Sequence, residues 1–360
     1  MRSYHYAAQA LGARAARCAL WGAECLLLIC CALVIVAGSA NAQDGRRNFF
    51  SPLVTADPDP DNSLDILPQW TGVEHGSIVA VAFSLEKQLS ENSSIEIGDA
   101  WNDPMCEKGF LCDDIGPLRR GGTHQTDTGG TRSAASSGMD DLEILTEYAF
   151  FKSDRHELRI AAGTDMFIAA GNPDAGADTF FYGGPILMIA KGMGDLPDDG
   201  FARFLQPFAI QADLEYLFES GGNRSNDLAA DWVISYSFSY LNSYVEKMRW
   251  PHVTLNLIPF AEFTYDQSVL ARQITGQPNL LMLPGIAYVN DNNTWQLSVA
   301  TTFAVNRATV ASNHAGVITM LNLSLDNCPI FNWQLLKSPS PTAAPECCTG
   351  LAYGNSRTAR

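Results

Sequence analysis

After its first 42 residues, the sequence lacks any apolar segment that could cross a membrane as a helix. A spanning helix needs about 20 consecutive apolar residues, and no uncharged stretch of that length follows Gln43. Helical periodicity is also scarce in this part of the chain. If the chain lies in a membrane, a closed β-barrel is the remaining architecture, because a barrel satisfies its backbone hydrogen bonds internally.

The sequence also lacks the spacings that carry enzymatic chemistry. It contains no Gly-x-Ser-x-Gly elbow, no His-Glu-x-x-His pair, no phosphate-binding loop and no dinucleotide-binding fingerprint. The five histidines after residue 42 each lie more than four residues from the next. We therefore expect no catalytic residues, no metal site and no cofactor, and predict that the protein is not an enzyme.

Basic residues are few. Residues 1–42 hold three of the 23 basic side chains and one of the 39 acidic ones, so the rest of the chain carries a formal charge of -18. This charge argues against nucleic acid as a partner. Five cysteines follow residue 42, an odd number that does not read as a disulfide framework, and their pairing stays open.

The amino-terminal segment has the features of a secretory signal. Three arginines precede an apolar run from Cys25 to Ala37, which is followed by the small-residue triplet Ala40-Asn41-Ala42. The run is too short for a membrane anchor, so the sequence predicts a signal peptide over residues 1–42 that is cleaved before Gln43. Residues 43–68 are predicted to form an extended leader, because proline there opposes both helix and central strand.

From Gly76 to Leu325 the sequence shows short apolar-rich runs separated by Gly, Asn, Asp and Pro clusters. Apolar and polar residues alternate along Phe208 to Glu219, Trp232 to Leu241 and Trp295 to Ala304. Eleven strands are predicted, near residues 77–88, 93–101, 140–151, 156–168, 180–191, 206–219, 231–242, 253–265, 279–289, 294–305 and 315–326. A twelfth is expected near 64–74, because bacterial single-chain barrels have even strand numbers.

The predicted fold is thus all-β, an antiparallel transmembrane β-barrel of about 12 strands, with 10 to 14 possible. The barrel is expected over residues 69–336 and includes a long flexible loop or insertion at 105–137. Residues 337–360 are rich in Ser, Pro, Thr and Ala and are predicted to be a disordered tail.

Aromatic placement favours a membrane barrel over a soluble β-sandwich or a lipocalin-like barrel. Trp232 and Tyr240 lie eight residues apart on one apolar face, a distance of about 20 Å along the membrane normal, close to the height of the apolar band between two aromatic girdles. The candidate girdle residues, which cluster at predicted strand ends, are Tyr216, Trp232, Tyr240, Trp250, Tyr265, Tyr288 and Trp295.

The opposite, polar faces of the strands supply the candidate lumen-lining residues: Glu143, Glu147, Arg159, Asp165, Gln211, Asp213, Glu215, Glu219 and Glu262. An excess of carboxylates in an open lumen would favour cations or neutral solutes over anions. The same side chains could instead pair with Arg159, Arg203 or Lys191 and close a narrow barrel. The sequence leaves both alternatives open.

Several motifs between about Asn48 and Leu336 resemble the MetA-pathway phenol-degradation family of outer-membrane β-barrel transporters. They are Asn48-Phe49-Phe50-Ser51-Pro52-Leu53, Asp140-Asp141-Leu142-Glu143-Ile144, Gly163-Thr164-Asp165-Met166-Phe167, Ala170-Gly171-Asn172-Pro173, Leu283-Pro284-Gly285-Ile286-Ala287-Tyr288 and Leu325-Asp326-Asn327-Cys328-Pro329-Ile330-Phe331. The resemblance implies passage of small hydrophobic or aromatic molecules across the outer membrane of a Gram-negative bacterium. It provides no catalytic residues.

The functional hypothesis is therefore a passive outer-membrane channel or transporter. Its expected partners are outer-membrane lipid, a small-molecule solute and the barrel-assembly machinery. Two alternatives remain at this point: a structural or adhesive surface barrel with a closed lumen, and a soluble periplasmic β-barrel that binds a ligand.

Overall fold

The computed structural model describes residues 49–73, 76–106, 112–113, 133–134, 136–175, 177, 181–219, 226–270, 273–274, 278–306 and 315–326. Within these ranges, twelve strands have ten residues or more. They are β1 Ser63–Val73, β2 Gly76–Ser90, β3 Ser93–Cys106, β4 Leu142–Ser153, β5 Leu158–Ile168, β6 Tyr182–Gly192, β7 Phe208–Glu219, β8 Asn226–Tyr236, β9 Leu257–Leu270, β10 Asn279–Val289, β11 Trp295–Ala304 and β12 Ala315–Ser324.

Each of these strands pairs antiparallel with the next along the chain, and β12 pairs antiparallel with β1. The sheet is therefore a closed up-and-down barrel, which confirms the predicted antiparallel barrel of about twelve strands. Two-residue segments at Gly138–Met139 and Gln273–Ile274 pair with β3 and β9, and Cys112–Asp113 pairs with Ser133–Ala134 in a separate two-stranded sheet.

Helical structure in the described residues is limited to short turns between strands. These are Asp154–His156, Pro173–Ala175, Ala202–Leu205, α1 Phe238–Tyr240, a π turn at Leu241–Val245, and α2 His252–Leu255. No helix in the described ranges is long and apolar enough to cross a bilayer.

Alternation along the strands separates an apolar outer surface from a mixed interior. In β7, for example, Gln211 and Asp213 are buried, whereas Leu214 and Phe218 are about half exposed, at 48% and 50%. Large apolar side chains are exposed in the same way on most other strands, including Trp70, Phe83, Ile97, Leu187, Ile234, Ile286, Leu297, Phe303 and Val317. Such a surface is unfavourable in water and favourable against hydrocarbon.

The barrel has two ends, which we name from the chain. The near end is where β1 begins and β12 ends, and the far end is where β1 ends and β12 begins. Described connections at the near end include residues 91–92, 154–157, 193–207, 237–256 and 290–294. The far-end connection between β3 and β4 spans 107–141 and lies mostly outside the described residues, as do the signal peptide and the tail predicted at 337–360.

The first strand begins at Ser63, within the segment that the sequence predicted as an extended leader ending at residue 68. Pro68 lies inside β1, within the twelfth strand that the sequence indicated near residues 64–74. The register between β1 and β12 has no pairs at Leu67 and Pro68, and the Thr319 hydroxyl donates to the Pro68 carbonyl at 3.2 Å. The missing proline N–H is thus accommodated at a local interruption of the ladder.

The predicted strand at 231–242 is wrong in its second half, because β8 runs from Asn226 and ends at Tyr236. The alternating serines continue the strand pattern in sequence, but the Ser237 hydroxyl accepts a hydrogen bond from the Tyr240 N–H at 3.2 Å. Ser237 therefore caps a helical turn, a role for which serine is well suited. Likewise β9 begins at Leu257 and not near 253, since α2 occupies His252–Leu255.

Candidate functional site

The interior of the barrel contains a segment of the chain's own leader. We call residues 49–62 the leader loop. It contacts inward-facing side chains of strands all around the barrel, including β2, β4, β5, β7, β9 and β11. Leu53, Val54, Thr55 and Ala56 are completely buried. A segment that touches so many strands of a closed barrel must lie within it.

The tip of the leader loop, residues 53–56, is held by the carboxylate of Glu262 on β9. Three consecutive backbone N–H groups donate to it, from Leu53 at 3.1 Å, Val54 at 2.9 Å and Thr55 at 2.6 Å. The Thr55 hydroxyl adds a fourth bond of 2.7 Å. Hydrogen bonds to an ionised acceptor are stronger than neutral ones, so this buried carboxylate is the principal polar anchor of the tip.

Strand β7 provides a second anchor. The Ala56 N–H donates to Asp213 at 2.6 Å, and the Gln211 amide donates to the Phe50 carbonyl at 3.0 Å. On β11, Gln296 accepts from the Ser51 N–H at 3.0 Å and donates back to the Ser51 carbonyl at 2.6 Å. The strand side chains thus satisfy backbone groups that the leader loop, having no strand partner, would otherwise leave unpaired.

After its tip, the leader loop returns to the near end, where it meets cations. Asp59 forms ion pairs with Lys152 at 3.4 Å and with Arg159, whose guanidinium also lies 5.6 Å from the ring centroid of Phe49. Farther along, the Asp61 N–H donates to Glu86 at 3.2 Å and Lys87 donates to Asn62 at 2.7 Å. These contacts fix the limb that leads into β1.

Apolar packing divides the leader loop between two sides of the interior. Phe50, Leu53 and Val54 join a buried cluster built mainly from β8 to β12, in which the Phe50 and Phe260 ring centroids lie 5.2 Å apart. Ala56 packs instead with Leu145, Ala149, Ala161, Ile186 and Met188 of β4 to β6. The loop therefore bridges the lumen and does not merely line one wall.

Seven of the nine predicted lumen residues are buried on the barrel strands: Glu143, Glu147, Asp165, Gln211, Asp213, Glu215 and Glu262. Among them the leader loop directly engages Gln211, Asp213 and Glu262. Arg159 lies at the near end, paired with Asp59. Glu219 is the last residue of β7, and its side chain lies outside the described part of the structure.

The predicted girdle residues are spread over several levels of the barrel. Tyr288 and Trp295 stack at the near end with ring centroids 5.3 Å apart, and Trp250 packs there edge-on against Phe238. Tyr216 packs against Phe218 on β7, whereas Tyr265 lies within β9.

The pair Trp232 and Tyr240 does not span the apolar band as the sequence suggested. Trp232 stacks on Phe263, well inside β8, with ring centroids 5.4 Å apart. Tyr240 belongs to α1, and its hydroxyl donates to Glu157 at 3.1 Å. Because the strand ends at Tyr236, the spacing of eight residues does not measure a height along one strand.

Near-end carboxylates outside the barrel strands are neutralised locally. Asp195, in the connection between β6 and β7, accepts from Lys191 at 2.8 Å and lies 3.3 Å from His156. The hydrogen bond from Lys191 lowers the pKa of Asp195, with a smaller contribution from His156. No group of three or more His, Cys, Asp or Glu side chains in the described ranges is arranged to hold a metal ion.

Sequence reasoning did not foresee the leader loop inside the barrel, or the inward-facing Asp231 and Gln296 that surround it. The signal for Asp231 and Gln296 was present, since both occupy polar positions of alternating strands. The leader loop itself has no periodicity, so its location depends on tertiary contacts that a sequence pattern does not encode.

Comparison with known proteins gave structural matches only. The fold is similar to the KdgM porin (TM-score 0.38, 10% identity, covering 73% of this chain and 98% of that one) and to an outer-membrane channel from Pseudomonas putida F1 (0.40, 9%, 79% and 99%). It is also similar to a mutant of the monoaromatic hydrocarbon channel TodX (0.37, 11%, 80% and 99%).

No family model matches the chain, and no curated protein matches it. The resemblance to the MetA-pathway phenol-degradation family therefore stays a prediction.

Proposed function

We propose that this protein is a passive outer-membrane channel for small solutes, and that the leader loop occupies its passage. The observation that carries the proposal is a polar, carboxylate-rich barrel interior filled by a segment that is not part of the wall. A barrel whose lumen were closed by its own wall side chains would need no such segment. The leader loop is attached through hydrogen bonds to a few side chains, which can be exchanged.

The outer membrane of a Gram-negative bacterium is the location that fits this barrel. The exposed apolar side chains on most strands require lipid as a partner, and closed barrels of this kind are inserted there by assembly machinery. Both the start of β1 and the end of β12 lie at the near end, which we place on the periplasmic side because the longest connection, between β3 and β4, is at the far end.

The resemblance noted in the sequence supports small hydrophobic or aromatic molecules as solutes. The interior offers both chemistries, because it contains buried carboxylates such as Asp213 and Glu262 as well as an apolar cluster built mainly from β8 to β12. A soluble periplasmic binding protein is disfavoured, since its outer face would have to be polar.

The direct test is electrical. The full-length mature chain, reconstituted in planar bilayers, is compared with a variant that lacks Phe49 to Pro60. We expect the variant to conduct more, because the segment that fills the near half of the interior is gone. Heat-modifiable migration on gels checks that both proteins are folded. Absence of conductance from a folded leaderless barrel would contradict the channel.

The filled lumen also supports a second function, a structural or adhesive surface barrel. The double variant Asp213→Asn, Glu215→Gln separates the two. In a channel, the loss of two interior charges moves the reversal potential in a salt gradient toward weaker cation preference. In a closed barrel, the same variant changes thermal stability and leaves permeability at zero.

A further inference from the structure

A row of aromatic rings leaves the outer face of the barrel at its near end. Tyr236 follows the exposed Ile234 on the outward face of β8 and pairs in register with Phe208 of β7, with ring centroids 4.7 Å apart. Phe238 continues the row from Tyr236 at 5.7 Å, and Trp250 continues it from Phe238 at 5.3 Å. The apolar outer surface of the barrel therefore extends onto the connection between β8 and β9.

This connection exposes further apolar side chains. Tyr244 is 61% exposed, Val253 63% and Trp250 42%. Large apolar side chains are unfavourable in water, and Trp and Tyr rings in particular are favoured at the boundary between hydrocarbon and headgroups. Because the row of rings joins this surface to the lipid-facing wall, the connection lies at the edge of the bilayer.

The same connection presents two cations, although the chain after residue 42 carries a formal charge of -18. Lys247 and Arg249 are exposed, and neither forms an ion pair with an acidic side chain in the described ranges. The single acidic residue of the connection, Glu246, is paired with Arg203 at 3.2 Å. Positive charge thus stands beside the rings, where it complements a negative group at the membrane surface.

We propose that residues 244–253 bind the headgroup of an anionic phospholipid in the periplasmic leaflet. The apolar side chains of this segment enter the interfacial layer, and Lys247 and Arg249 contact the lipid phosphate. Long basic side chains can do so because their stems pack on apolar surface while their charged groups reach the headgroups. The inference rests on the proposed outer-membrane location, with the near end on the periplasmic side, and not on conduction.

The test measures hydrogen exchange of the full-length mature protein in lipid nanodiscs, read by mass spectrometry over peptides within residues 242–253. Nanodiscs of dioleoylphosphatidylcholine are compared with nanodiscs that contain increasing fractions of dioleoylphosphatidylglycerol. We expect saturable protection of this segment by the anionic lipid, with the connection at 154–157 unchanged. Inorganic phosphate added to phosphatidylcholine nanodiscs should give no protection, because a free anion has no acyl chains to pack on the barrel wall.

The variant Arg249→Gln removes one charge from an exposed position and keeps the aromatic rings. We expect it to raise the phosphatidylglycerol fraction at half-protection about fivefold, the contribution of one cation near an anionic surface. The matched control is Arg155→Gln, which removes an exposed cation at the same end, where Asp154 and Glu157 flank it in sequence. The control should respond like the unmodified protein, and heat-modifiable migration verifies that both variants are folded.

Unchanged exchange on addition of phosphatidylglycerol, equal protection by inorganic phosphate, or equal responses of Arg249→Gln and Arg155→Gln would each overturn the lipid site. Conductance is a separate measurement. A barrel that conducts without lipid-dependent protection refutes the lipid site alone, and a protected barrel that never conducts refutes the channel alone.

Discussion

Carboxylates at the near end of the barrel and carboxylates around the leader tip are neutralised in different ways. At the near end, Asp59 has Lys152 and Arg159, Asp195 has Lys191, and Glu246 has Arg203 at 3.2 Å. Around the tip, the partners of Glu262 and Asp213 are backbone N–H groups of the leader loop.

The difference indicates which charges are structural. An ion pair between two side chains is fixed by both of its ends and contributes modestly when exposed. A carboxylate bound to a removable segment is different, because its partner can be replaced by another donor. In the proposed channel, the near end holds the leader loop in register and the tip is the part that can exchange.

A third region of the barrel differs from both because it carries no charge. Strands β10, β11 and β12 contain no charged residue along their whole length. Their inward side chains pack against Phe50, Leu53 and Val54. Here the leader loop is held mainly by apolar contact, and Gln296 adds two hydrogen bonds to Ser51.

The largest expected effect comes from placing a charge on this uncharged wall. Leu283 on β10 is completely buried, and Leu283→Asp would put a second buried carboxylate directly opposite Glu262 on β9. We expect a loss of about 3–5 kcal/mol in the free energy of unfolding. The expected result is a lower midpoint temperature of unfolding, read from heat-modifiable migration on gels.

Leu283→Met serves as the control, since a swap of similar volume costs less than about 1.5 kcal/mol. If Leu283→Asp unfolds at the same temperature as the unmodified protein, the uncharged wall does not depend on its apolar packing.

The next effect concerns the tip. Glu262→Gln replaces the ionised acceptor of three N–H groups with a neutral amide, and we expect attachment of the tip to weaken by about 2 kcal/mol. Amide exchange at residues 53–55 should then be roughly thirtyfold faster. Glu147→Gln, whose carboxylate accepts from Ser94 at 3.3 Å, is the matched control and should leave these amides protected.

A smaller effect is expected from the part of the leader loop that leads from the tip back to β1. Asp59→Asn removes the ion pairs with Lys152 and Arg159, both partly solvent-exposed, at a cost of about 1 kcal/mol. Exchange at residues 60–62 should rise, and the difference from the unmodified protein should shrink in high salt because screening weakens the pairs. A salt-independent difference would mean that charge is not the cause.

The smallest effect is expected at Asp195. Because the Lys191 hydrogen bond lowers its pKa in the folded state, Asp195 stabilises the fold above its unfolded pKa, and that contribution is lost as the pH falls through the lowered value. Asp195→Asn should therefore cost at most about 1 kcal/mol at neutral pH, after allowance for solvent screening, and nothing in strong acid. Denaturant titrations at a series of pH values provide the measurement.

Much of the barrel could be predicted because period-two alternation is a local property. A predicted strand overlaps each of the twelve observed ones, including the one near residues 64–74, and the faces of β7 and β11 match the alternation of Phe208 to Glu219 and Trp295 to Ala304. The errors occur where polar residues serve turns, as Ser237 does, since a capping serine and a lumen-facing serine are identical in a one-dimensional pattern.

The site could be predicted only in part, for a related reason. Alternation indicated that Gln211, Asp213 and Glu262 share the interior, but not what they bind. Their partner is an aperiodic segment more than 150 residues away in sequence, and such a long-range contact has no local signature.

The junction of the first and last strands gives the leader loop a further consequence, for assembly. The Asn62 carbonyl accepts from the Leu325 N–H at 2.6 Å, and the Asn62 amide donates to Asp326 at 2.8 Å, so the residue that ends the leader loop also joins the seam between β1 and β12. Assembly would then have an order. The leader loop enters the barrel before β1 and β12 pair, because their pairing closes the barrel around it.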